Sequence, residues 1–486
     1  MSPTTQTRQH GAPRKVLLLE FNEINWHVVD RLIASRGESF LPNLSRLRRE
    51  GAWGVQSAVE RPPLLDPWIT WVTLHTGVSQ AVHGATVLEQ KGETIRSKRT
   101  WHYVSEAGRK VGVFGSISAY PPEPVKGYMV PGPFAPGDET YPPRLQPVQA
   151  INRRYTQVHN KTTRPPGMLE NVATGARLFG LGLKPSTCVR IAGQLARERV
   201  SPHLRWQRVS LQPRLNFDFF ASLYRNERPD FATWHSNHAA HYMHHYWRAW
   251  DDSDFPVKSP PDEKRKYGEA VPYGYRVCDE LLGRAMRLID RDTVLVLASS
   301  MGQQPYISEK YREGKVVVRV KDIEALLKVL GREGVTEVVP TMVPQWNIHV
   351  PDAEARAALK ARIEAARRSV AGVEEAAFAV EETEDCLTLT PLGLARPEQG
   401  VRYSFPQRAA GAQASYALEA LFAADTPTVK QGMHHIDGML AFYGAGIRPA
   451  QLPPCTNLDV APTLLSLMGL PVPAVMEGRV IAGLSH

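Results

Sequence analysis

Short, continuous apolar runs alternate along this chain with stretches of helical periodicity. Val16 to Phe21 is apolar at every position but Glu20 and ends at Asn22-Glu23. A run apolar on both faces belongs in a strand buried inside a parallel sheet. Lys110–Gly115, Phe231–His235 and Thr293–Ala298 have the same character. Between them, Trp26–Ser35 reads as a helix. Pro42 opens a second, with Leu44 and Leu47 on one face and Gly51 as its stop, and Trp101–Ala107 forms a third. Strands alternating with helices predict an α/β fold with a central, mostly parallel sheet flanked by helices. Ligands of such sheets sit outside the carboxyl ends of the strands. Asn22, the histidines between His235 and His241, and Ser300 all fall at that edge.

Two segments interrupt the alternation. Residues 141–228 are basic and mostly helical, and are expected to form a cap insertion. Residues 306–425 read as a strand (Val316–Val320), a helix (Ile323–Leu330), a strand (Val335–Val350), a helix (Ala353–Ser369) and further strands over Val373–Thr390. That is an inserted α+β subdomain. The expected core is therefore discontinuous: residues 15–140, 229–305 and 426–486.

Composition refines this picture without changing it. At 486 residues and 43% hydrophobic content the chain can bury a sizeable core. No apolar run approaches the roughly 20 residues that a membrane-spanning helix needs. Met1 to Arg14 is polar, so no secretory signal is expected there. Cys188, Cys278, Cys386 and Cys455 are widely spaced and form no CxxC pair. That argues against a disulfide framework or a cysteine zinc site and fits a reducing cytoplasm. The net charge of +9 is concentrated. Residues 151–214 hold twelve Lys and Arg against Glu170 and Glu198, a local net charge of +10. Such a stretch serves an anionic substrate, an acidic membrane surface or nucleic acid, or is a solvated helical face or oligomer contact. Nucleic acid is the least favoured partner, and oligomeric state is not legible.

Several motifs occur in order. They are Leu41-Pro42-Asn43-Leu44 with Gly51, Thr73-Leu74-His75-Thr76-Gly77 with His83-Gly84, and Ala119-Tyr120-Pro121-Pro122 running to Gly132. Asn237 with His241, Gly432-Met433-His434 with Asp437-Gly438, and Asn457 to Leu464 leading into Met468-Gly469-Leu470-Pro471 complete the set. Together they resemble the alkaline phosphatase superfamily, in its type I phosphodiesterase/nucleotide pyrophosphatase-like branch of phosphohydrolases and phosphomutases. The resemblance spans about residues 15–140, 230–305 and 425–486. It implies an alkaline-phosphatase-like sheet, phosphoester chemistry and two divalent metals. One metal would be held by an Asp-x-x-x-His pair and a later histidine. The other would be held by an aspartate after the first strand, a Thr or Ser nucleophile at a helix start, and the Asp-His of a Ser-Asp-His-Gly turn.

On those positions the chain departs from the pattern. His241 and His434 stand where two histidine ligands are expected. Asn22 and Asn237 replace aspartates, Ser300-Met301 replaces Asp-His in the turn Ser299-Ser300-Met301-Gly302, and the nucleophile position falls on Pro67. Two dications about 4 Å apart repel by roughly 17 kcal/mol even at an effective dielectric near 20. Neutral amides do not offset that, and a thioether is a poor ligand for Zn, Mg or Mn. A two-metal site is therefore not expected unless Glu20, Glu23, Asp66 or Asp437 restores the charge. One divalent ion, zinc by ligand type, is the expected cofactor, with Asn237, His238, His241 and His434 as candidate ligands. His238, His241 and His245 share a helical face. The other reading of these histidines is packing beside Tyr242, Tyr246 and Trp247.

The catalytic candidates are Asp66, Glu23 and Thr70. Asp66-Pro67 reads as an N-cap followed by proline at the first helical position, and the same geometry offers a nucleophile or base. Thr70, one turn inward, also reads as packing. Glu23 reads as a ligand or base, or as a solvated loop residue. Asn22, Ser300 and Gln303 are candidate substrate contacts. The resulting expectation is a remodelled phosphoesterase or phosphodiesterase acting on a small anionic, phosphate-containing ester with at most one metal. A catalytically silent binding or scaffolding protein on the same fold is its rival.

Overall fold

The computed structural model describes residues 14–87, 90–156, 177–312, 315–340, 344–383, 385–395 and 399–484. The chain forms two compact units. The first holds the residues up to Met243, Lys266–Gln304 and those from His434 on, and the second holds His244–Arg265 and Pro305–Met433.

The first unit is built on one nine-stranded sheet. Its strands are β1 (Lys15–Phe21), β2 (Ala52–Ser57), β3 (Val111–Phe114), β4 (Gly127–Val130), β5 (Phe231–Ser236), β6 (Thr293–Ala298), β7 (Asp437–Gly444), β8 (Ala450–Gln451) and β9 (Cys455–Thr456). Their spatial order is β8-β2-β7-β6-β1-β5-β3-β4, with β9 also paired to β2. From β4 to β6 every pairing is parallel, and β7 runs antiparallel to both β6 and β2. This is a mostly parallel α/β sheet flanked by helices, as the alternating pattern predicts.

The central strands are where the apolar runs place them. Val16 to Leu19 are fully buried, paired to β5 on one side and β6 on the other. Each buried leucine there contributes about 2 kcal/mol. The parallel register also sets Glu20 against His235. Strands β2, β4 and β7 were not anticipated. β4 has only four residues, β2 alternates buried with more exposed positions instead of forming a continuous apolar run, and β7 lies directly behind the glycine-histidine motif, which masks its apolar run.

Helices used below are α1 (Trp26–Arg36), α2 (Pro42–Glu50), α3 (Pro67–Thr76), α4 (Pro185–Val200), α5 (Leu211–Glu227), α6 (His238–Trp250), α7 (Ala270–Met286) and α8 (Val460–Leu467). Helix α3 begins at Pro67 as expected and stops at Gly77, which takes the left-handed conformation at φ 68°. All of its residues except Trp68 are buried, as befits a helix apolar all round. The division between the two units falls within the continuous helix α6.

The second unit has its own core, including Leu326, Leu327, Ile348, Leu387, Tyr403 and Phe422. The expected strand Val335–Val350 is instead an antiparallel pair, Glu337–Pro340 and Trp346–His349. Proline donates no ladder hydrogen bond, and Pro340 and Pro344 interrupt what reads as one run. The expected helix Ala353–Ser369 ends at Ala365, and Arg367–Val370 becomes a strand between Val373–Ala376 and Arg402–Ser404. Sheet pairing there overrides helical periodicity. No helix among the described residues is long and apolar enough to cross a membrane.

Candidate metal centre

The carboxyl end of β1 leads directly into the site. Glu23 adopts φ 62°, a left-handed conformation that costs a residue with a side chain on the order of 1 kcal/mol or more. Its side chain is 2% exposed, so it is not a solvated loop residue. Glu23 Oε1 accepts a hydrogen bond from Asn22 Nδ2 at 2.9 Å, and Oε2 accepts one from Gln303 Nε2. Gln303 Nε2 also donates to the Ala240 carbonyl on α6 at 3.1 Å. A buried carboxylate is thus held in place by neutral amides.

Asn22 is fully occupied. Its second amide hydrogen goes to Asn237 Oδ1 at 2.7 Å, and its Oδ1 accepts from Trp71 Nε1 at 2.7 Å. Thr70 and Ser300 exchange a hydroxyl hydrogen bond at 2.8 Å. Asn22, Thr70 and Ser300 are each at most 1% exposed. Met301 is fully buried and packs with Ala58 and Leu65. Donors and acceptors therefore match here without an ion, and the neutral side chains tie β1, α3, β6 and the start of α6 together.

His434 stands just ahead of β7. Its Nδ1 lies 2.8 Å from the Leu65 carbonyl and 3.2 Å from Asp66 Oδ1. Nδ1 therefore carries a hydrogen, and Nε2 is the nitrogen that faces Glu23. Nε2 lies 3.8 Å from Glu23 Oε1. Two electron-rich atoms that close are stable around a shared proton or a cation. His244 on α6 repeats the pattern, its Nδ1 donating to the Gly432 carbonyl at 2.9 Å. Metal-binding imidazoles typically have their second nitrogen fixed in this way by a carbonyl or carboxylate.

Asp66 directly precedes α3, but its side chain makes no cap; it turns to His434 instead. That side chain is 26% exposed, against 2% for Glu23. His241, in the same unit as Glu23 and His434, is half-buried on α6. The Oδ1 of Asn237 is engaged by Asn22. His238 points into the fold, its Nδ1 2.7 Å from Ser236 Oγ and its Nε2 3.2 Å from the Gly274 carbonyl. Burial, aided by the Arg214 cation, pushes its imidazole down to about 3, so it is neutral.

A second ionisable cluster lies deeper. Glu20 is fully buried, with Oε1 3.0 Å from His75 Nε2 and 2.9 Å from the donating Ser116 hydroxyl, and Oε2 3.1 Å from His235 Nδ1. Burial alone would raise this carboxyl, but His75 and His235 outweigh it and hold it down to about 2. The apolar run around Glu20 hides this role in the sequence, where only the register of β1 on β5 brings it out.

On the sheet edge of the first unit, the Glu23 carboxylate and the His434 imidazole lie close enough to take part in holding one divalent ion, an arrangement consistent with metal-assisted, hydrolase-like chemistry. No protein-family model matches the chain, and no curated protein matches it in sequence.

Proposed function

We propose that the chain is a metal-dependent phosphoric ester hydrolase or transferase that works with one divalent ion, zinc by its ligand set, on a small anionic phosphate or sulfate ester. The reading also takes up the resemblance to the phosphodiesterase-like branch of the alkaline phosphatase superfamily, with a remodelled site. One observation carries it: the Leu65 carbonyl holds Nδ1 of His434 and leaves its Nε2 3.8 Å from the buried Glu23 carboxylate. His241, on α6 of the same unit, is proposed as the third ligand. The bound ion would polarise the ester oxygen and acidify a water. Asp66 orients His434 and, being the more exposed carboxylate, is placed to accept the proton of the attacking water. Gln303 and Asn22 hold Glu23. The four cysteines are all free, in keeping with a cytoplasmic location.

Elemental analysis of the purified protein tests this, with near one equivalent of metal per chain expected. His434→Ala should lose it. If His241→Ala loses it and the His244→Ala protein keeps it, the third ligand is His241. Asp66→Asn should keep the metal and lower turnover of aryl phosphate or sulfate esters about 10²- to 10⁴-fold. Unchanged turnover would reduce Asp66 to a helix start.

The closed neutral network of Asn22, Asn237, Thr70 and Ser300, with Pro67 at the nucleophile position, favours a second reading: a silent binding or scaffolding protein. Metal-free protein inert toward phosphate monoesters, diesters and sulfate esters would select it.

A further inference from the structure

Helices α4, α5 and α7 of the first unit line a basin of about 250 Å³. Six cations face it: Lys184, Arg190, Arg214, Arg225, Arg284 and Arg287. Only two carboxylates do, Asp218 and Glu280, leaving a net charge of +4. Both are already engaged. Asp218 accepts from the Thr187 hydroxyl, from the Lys184 amide at 3.2 Å and from Arg284. Glu280 receives Arg214 through Nη2 at 2.8 Å and Nε at 3.1 Å, with Arg190 at 3.7 Å. Lys184, Arg225 and Arg287 make no ion pair among the described residues. Their mutual repulsion shows at Lys184, whose ammonium is pushed below its usual range by burial and by Arg284, Arg225 and Arg287.

Such a concentration of like charge is a cost to the fold unless an anion offsets it. The shape suits a compact ligand. Ser186 and Thr187, in the first turn of the sixteen-residue α4, also line the basin and add the positive end of that helix. Guanidinium forks match phosphate oxygens two at a time. The one aromatic ring in the lining, Phe217, is fully buried beneath the Arg284 guanidinium at 4.6 Å. The basin thus offers no exposed ring on which the bases of a single strand could stack. Half of the cations come from the basic stretch 151–214, whose Lys161 and Arg164 lie outside the described residues.

We propose that this basin binds a small polyphosphate-bearing molecule of the pyrophosphate or tripolyphosphate class, separately from the metal centre. Calorimetric titration of the full-length chain with inorganic tripolyphosphate tests it. Expected is saturable 1:1 binding that weakens with added salt. An Arg225→Ala/Arg287→Ala double variant should bind at least tenfold more weakly with a melting temperature no lower than the parent's, since neither side chain makes an ion pair among the described residues and the two add to the repulsion. His434→Ala should bind as the parent does, which separates this site from the metal centre whatever the outcome there. Absence of saturable binding, parental affinity in the double variant, or loss of binding in His434→Ala would each overturn the proposal. So would an oligonucleotide that outcompetes tripolyphosphate at equal phosphate concentration.

Discussion

Glu23→Gln is expected to strip the protein of its metal while leaving it folded. The substitution keeps the side chain's size and removes the buried carboxylate that faces His434 Nε2. Losing an outer partner of a metal ligand commonly costs 10- to 100-fold in affinity, so losing an anionic ligand should cost about 100-fold or more. Metal content after gel filtration should fall to a small fraction of an equivalent. The metal-free parent and variant should melt within a few degrees of each other, since the cost of burying an anion offsets much of what its amide hydrogen bonds contribute. Retention of a full equivalent would remove Glu23 from the ligand set. The left-handed backbone at Glu23 fits this view, because strain in a residue with a side chain persists where function requires its placement.

The largest stability effect is expected at Glu20. Glu20→Gln leaves the two imidazoles of His75 and His235 without their buried carboxylate. Removing one partner of a buried ionic cluster typically costs about 3–5 kcal/mol. A fall in melting temperature of about 3–5 °C follows for a chain of this size. The pH dependence has a definite sign. The folded state holds Glu20 near 2, below the ordinary carboxyl value, so its contribution is complete above the ordinary value. It drains away as pH falls from about 4.3 toward 2. The variant should lose that portion of the acid transition. An unchanged melting curve at neutral pH would show that the cluster does not support the fold.

The two predictions rest on carboxylates of the same strand end, three residues apart, and they differ in legibility. Glu23 was readable as a candidate because it follows an apolar run at a sheet edge. Asp66 and His434 were readable from the proline that opens α3 and from the glycine-histidine motif. The turn at Ser300 was recognisable as neutral, but its pairing with Thr70 was not. The helical face drawn through His238, His241 and His245 divides in the fold: His238 is buried against Ser236 and Gly274, and His241 is half-buried. Periodicity says which residues share a face, and only packing says where that face points.

The amino-acid order was sufficient for the central strands, for the start of α3 and for the absence of the usual carboxylates at Asn22, Asn237 and Ser300, because these depend on local patterns of apolarity and on residue identity. Strand neighbours, the Glu20–His75–His235 cluster, the approach of His434 to Glu23, and the gathering of Arg225, Arg284 and Arg287 with Lys184 around one basin were decided by the tertiary structure. Each of these brings together residues distant in sequence, through register and backbone carbonyls that no local pattern encodes.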